Sequence, residues 1–124
     1  NIPHSAQTGT NQAIKLVVDE IIQIGDLQKE VPPFKTLDKK VFGQVDTCLN
    51  ERWLTVGNND DATRIFELRL AIKYAEDAWE WLEKENLVDT DRYLKAAKEH
   101  LQKAREVHQL QERRKNDVKP TETK

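Results

Sequence analysis

The run from Asp61 to Asn86, DATRIFELRLAIKYAEDAWEWLEKEN, constrains the fold more than any other part of the chain. Ile65, Leu68, Ile72, Ala75, Trp79 and Leu82 recur at alternating spacings of three and four. That is a heptad-like apolar seam sustained for about three repeats, the mark of a long amphipathic helix. A seam of this kind has to be covered by other helices, from the same chain or from a second copy.

The rest of the sequence supplies such helices. At 124 residues the chain fits one domain, able to bury roughly two-thirds of its unfolded surface. Its hydrophobic share is 37% against a charged share of 34%, which suits thin amphipathic helices that need a stripe rather than an apolar body. Four Gly and four Pro are too few for a turn-rich sandwich or barrel.

Residues 1–9 are polar, with a Pro and a Gly, and read as a flexible lead-in. Thr10 or Asn11 then caps a first helix reaching about Ile24, with Ile14, Val17, Val18 and Ile21 at helical spacing and Gly25 as its stop. The β-branched density there also permits a strand; the spacing favours the helix. Pro32-Pro33 forces extended backbone. Thr36 or Asp38 opens a second helix bearing Leu37, Val41, Val45, Cys48, Leu49 and Trp53, closed by Gly57-Asn58-Asn59. Asp60 or Asp61 caps the third helix and Asn86 ends it. Asp89-Thr90-Asp91 caps a fourth, whose stripe is Leu94, Ala97, Leu101, Ala104, Val107 and Leu110.

The expected architecture is an all-α, four-helix bundle-like domain over residues 10–110, dominated by an antiparallel hairpin of helices 3 and 4. Residues 111–124 form a charged C-terminal tail that frays. Ala97 and Ala104, seven apart, leave room for a large side chain opposite, and Trp79 or Trp81 is the natural occupant.

Several chemistries lack their residues. The net charge of −2 argues against nucleic acid as a partner, since phosphate binding needs a basic face. No run approaches the ~20 apolar residues of a membrane span. Methionine is absent, as in a trimmed chain, and the cytoplasm is the expected compartment with an exported mature form as the alternative. Cys48 is the sole cysteine and reads as a small apolar residue on a helix face.

No cofactor or metal is expected. His100 and His108 are eight apart, too far to share an ion on one helix, and read as rim residues beside the stripe. The acidic run Glu76, Asp77, Glu80, Glu83, Glu85 reads as a solvated face, with Lys73 and Lys84 paired to Asp77 and Glu80. Arg113-Arg114-Lys115 suits the negative end of a helix. Ser5 is the only serine, and the glycines at 9, 25, 43 and 57 stand singly, so neither a nucleophilic triad nor a phosphate loop has a foothold. Catalytic residues are expected to be none.

Aromatic placement is the feature that bears on function. Trp79 and Trp81 diverge by about 200° on one helix, so Trp81 points away if Trp79 is core. Trp81 then either packs against helix 1 or 2 or anchors a partner, another subunit or a ligand; tryptophan is enriched at interface hot spots.

The segment Glu67-Leu68-Arg69-Leu70-Ala71-Ile72-Lys73-Tyr74-Ala75-Glu76-Asp77-Ala78-Trp79-Glu80-Trp81 resembles the helical hairpin of phage anti-defence proteins that sequester cyclic-nucleotide immune signals. Glu67, Leu68, Leu70, Ala71, Glu76, Ala78 and Trp81 match; Asp77 is a mild change, and Lys73-Tyr74 stands where the family carries Thr-Lys. The resemblance implies a non-enzymatic oligomeric sponge gripping phosphates, with Arg69 and Lys73 the nearest candidates. The candidate surface is therefore Trp81, Arg69, Lys73, Tyr74 and Trp53. The leading expectation is a non-catalytic interaction protein of bacterial or phage type, meeting a protein partner or itself; the sponge, with a small nucleotide ligand, is the alternative.

Overall fold

A computed structural model describes the backbone of residues 4–122 and the side chains of residues 7–116. Its elements are α1 (His4–Ile24), α2 (Lys39–Leu54), α3 (Asn59–Glu83) and α4 (Leu87–Glu122), with no strand among the described residues. The architecture is the all-α bundle that the periodicities require. Helices α3 and α4 form its dominant antiparallel hairpin, α1 packs against both, and α2 packs against α3.

Helix ends differ from the sequence expectation in physically instructive ways. α1 begins at His4, well before Thr10; of the expected lead-in, residues 1–3 lie outside the described residues. α4 does not stop at Leu110 but runs to Glu122, and residues 123–124 of the tail lie outside the description. Asp38 caps α2, its carboxylate accepting the Val41 N–H at 3.0 Å. The cap of α3 is Asn58, not Asp60 or Asp61: its side-chain oxygen accepts the Asp61 N–H at 2.8 Å. Asn86 does the same for α4, accepting the Asp89 N–H at 3.0 Å while its amide donates to the Asp89 carboxylate at 2.8 Å. Both helices thus open on Asn-x-x-Asp, a short relative of the capping box. Asp60, Asp61 and Asp89 serve in the first turns, where negative charge suits the dipole.

The stop after α1 is also not what its glycine implies. Gly25 has no positive φ; Asp26 takes the left-handed conformation, at φ 58°. The Leu27 N–H reaches the Ile22 carbonyl and the Asp26 N–H that of Gln23, the two bonds of a Schellman motif. Gly25 instead eases a tight spot: a Cβ there would lie 3.0 Å from the Ile21 carbonyl oxygen, 3.2 Å from the Leu27 side chain and 3.3 Å from that of Leu68, so these neighbours would have to give by a few tenths of an ångström. The same motif ends α3, with Glu85 at φ 60° and Asn86 N–H bonded to the Trp81 carbonyl.

The core lies between α1 and the hairpin. Ile14, Val18 and Ile21 of α1 are buried with Ile65, Leu68, Ile72, Ala75 and Leu82 of the α3 seam. Leu27, Val31 and Leu37 anchor the Pro32-Pro33 connection, and Phe42 and Leu49 bring in α2. Thr90 is fully buried, its hydroxyl donating to the Asn86 carbonyl at 2.7 Å.

Trp79 departs from the expectation of a core residue. It is half-buried at the α2–α3 boundary, its ring 5.7 Å from that of Phe42. It does not fill the space opposite the α4 alanines. The Tyr74–Tyr93 and Glu67–His100 contacts fix the hairpin register and leave Ala97 level with the middle of α3, turns away from Trp79 and Trp81. Ala97 and Ala104 are nevertheless fully buried. With Ala71, Ala75 and Ala78 buried on α3, they allow close backbone approach along the hairpin. Ala97→Leu and Ala104→Leu should therefore overpack it, each costing ~1–3 kcal/mol. Urea melts that coincide with the parent would show the helices spread at no cost.

Candidate interaction surface

The hairpin and α2 divide the five expected surface residues into separate groups. At about 100° per residue, side chains on α3 address α4 on one flank and α2 on the other, leaving an outward crest between.

Tyr74 stands on the α4 flank. Its ring stacks on His100 at 5.5 Å and 5°, and on Tyr93 at 6.3 Å and 25°. His100 Nδ1 in turn lies 2.7 Å from the Glu67 carboxylate. This file of three rings and a carboxylate knits the hairpin edge, and it shows that His100 is more than a rim residue. Trp81, two turns after Tyr74, is half-buried with the Lys84 ammonium 4.7 Å above its ring.

Arg69 and Trp53 meet on the α2 flank. The Arg69 guanidinium carbon lies 5.4 Å from the Trp53 ring centre, a cation–π arrangement. Trp53 also meets the ring of Phe66 at 6.2 Å. Phe66 is 46% exposed and Leu54, next to Trp53 in the chain, is 82% exposed. These two apolar residues were hidden in the sequence because Phe66 adjoins the seam residue Ile65 and Leu54 sits at a helix end. Lys73 lies exposed on the crest between the flanks. The five residues thus do not converge on one site.

The acidic run is held differently from the expected i,i+4 pairing. Lys39 of α2 reaches Glu80 at 2.8 Å and Glu76 at 3.7 Å, and these carboxylates raise its ammonium above the ordinary lysine range, Glu80 first. Lys84 covers Trp81 instead of pairing with Glu80. Neither Lys73 nor Asp77 makes an ion pair within 4 Å among the described residues.

A polar cleft of about 570 Å³ opens where α1 ends, lined by Asn58, Asp61, Arg64, His108, Gln111 and Lys115 among others. Its central donors are already engaged. Arg64 Nη1 donates to the Ile24 carbonyl at 2.6 Å, Nε to Gln111 at 3.1 Å and Nη2 to Asp61 at 3.2 Å. The cleft is a tie between three helices. Elsewhere, burial pushes the Cys48 thiol up, away from the reactive thiolate. Among the described residues, no group of three His, Cys, Asp or Glu could hold a metal ion, and no helix is long and apolar enough to cross a membrane.

No protein-family model, no curated protein and no solved structure matches this chain.

Proposed function

We propose that the chain is a non-catalytic interaction protein that docks a protein partner through the solvent-facing side of α2 and α3. One observation carries the reading: Phe66, 46% exposed, meets the half-buried Trp53 at the surface, with Arg69 laid across the indole. Tryptophan and arginine are the residue types that most often anchor protein interfaces, and a preset cation–π pair lowers the ordering cost of presenting both. The resemblance of residues 67–81 adds a bacterial or phage setting. Capture of a defined protein by the immobilised full chain should be lost with Trp53→Ala and kept with Leu16→Ala, whose exposed side chain lies on α1. Equal capture by both variants would place the working surface elsewhere.

The nucleotide-sequestering alternative is favoured by Arg69 and Lys73, which stand one turn apart on α3 with Lys73 free of ion pairs among the described residues. A cyclic nucleotide gripped there should raise the melting temperature of the parent and not of Lys73→Ala. A panel of cyclic nucleotides that leaves the parent's melting unchanged removes that alternative.

A further inference from the structure

The outward crest of α3 has a charge pattern of its own. Phe66, Leu70, Lys73, Asp77, Trp81 and Lys84 follow one another at steps of three or four, a single stripe between the α2 and α4 flanks. One end is apolar, with Phe66 46% exposed and Leu70 half-buried, and the other is the half-buried Trp81 followed by the exposed Lys84. Its centre is one cation and one anion, Lys73 and Asp77, one helical turn apart.

We propose that this crest pairs with the same crest of a second copy, the two α3 helices running antiparallel about a two-fold axis level with Ala75. The proposal rests on the reading of the chain as a helical-surface interaction protein and names one partner.

The stripe is self-complementary in that orientation alone. Reversing the copy sets each Lys73 against the other's Asp77, and the pair forms twice, as a two-fold interface requires. A parallel copy would set Lys73 against Lys73. In the antiparallel register, Arg69 and Leu70 of one copy meet Trp81 of the other. Phe66 then meets Lys84, whose ammonium already sits 4.7 Å above the Trp81 ring of its own chain.

The pairing within the chain points the same way. Lys39 bridges Glu76 and Glu80, while Asp77, between them in the sequence, has no ion pair among the described residues. Asp77 is held above the ordinary carboxylate range by partial burial and then by the Glu80 charge, with only Lys73 opposing. A cation brought from a second copy relieves that repulsion, and a copy of this chain supplies one at the required height.

The test is sedimentation of the full chain over a wide concentration range, at low and high salt. The parent should dimerise, more weakly at high salt. Lys73→Asp and Asp77→Lys, each placing two like-charge contacts at the axis, should each weaken the dimer by about tenfold or more. The double variant Lys73→Asp with Asp77→Lys should restore it, a rescue that general loss of stability would not produce. Circular dichroism of the variants at parental helix content confirms that the fold is kept. A parent that stays monomeric throughout overturns the proposal, as does a dimer indifferent to the two single reversals. Either failure leaves the Trp53-dependent capture of a different protein untouched, so the two readings fall separately.

Discussion

Phe42→Ala should cost about 3–5 kcal/mol of unfolding free energy, the range for deleting a fully buried aromatic. Phe42 is fully buried and is the largest such side chain among the described residues. It fastens α2 to the hairpin by meeting Trp79 on one side and the core on the other. Domains of this kind are stable by about 5–15 kcal/mol, so the loss is roughly a fifth of the total or more. Trp79→Ala should cost less, about 1–3 kcal/mol, because part of the indole is already in water and less area is returned to it. The two rings should also be coupled by about 0.5–1.5 kcal/mol beyond their separate burial. Urea unfolding of both single variants and the double variant measures all three quantities. A Trp79→Ala cost equal to that of Phe42→Ala would mean that the indole is the true centre of this contact.

That ordering could not be read from the sequence, and the reason is geometric. The seam put Trp79 in register with Ile72 and Leu82, which are buried, and periodicity carries no information about where on a wide apolar arc a neighbouring helix sits. Ala71 and Ala78 prove to be buried as well; the arc facing the core is broader than the seam, and Trp79 lies at its α2 edge. What periodicity does report came through intact: four helices, a dominant hairpin, and the buried stripe from Ile14 to Ile21. The helix caps were legible in principle. Asn58-x-x-Asp61 and Asn86-x-x-Asp89 are the same signal, and the acidic residues drew attention one turn too late. The left-handed positions at Asp26 and Glu85 carried no signal, since neither is glycine.

The candidate surface was legible only in part, because its residues depend on contacts across long sequence distances. Lys39 reaches carboxylates on another helix, and neither Lys73 nor Asp77 has an ion pair among the described residues. Local i,i+4 reasoning assigned those same two residues to each other. Arg69 and Trp53 lie sixteen residues apart on different helices, and only the fold lays the first across the second.

Arg64→Leu should cost about 2–4 kcal/mol, chiefly by leaving the Ile24 carbonyl and the Gln111 amide oxygen without their donor. The guanidinium donates to the last carbonyl of α1, to Gln111 of α4 and to Asp61 of its own helix, and it is only 16% exposed. Gln111 closes the ring by donating to Asp61 at 2.7 Å. Arg64→Lys should recover only part of the loss, because an ammonium cannot match three fixed directions. The carboxylate in this ring gives the tie a pH signature. Asp61 is held below the ordinary carboxylate range, first by the Gln111 hydrogen bond and then by Arg64 and Asn58, against the opposing effect of burial. A group whose folded value is depressed stabilises the fold above its unfolded value of about 4 and loses that contribution as pH falls through the folded one. The gap in stability between the parent and Asp61→Asn should therefore be full at neutral pH and should narrow as the solution is taken below pH ~4. Chemical denaturation across the acid range measures it directly. A gap of constant size down to the lowest pH would show that the Asp61 charge does not hold α1, α3 and α4 together at this end of the bundle.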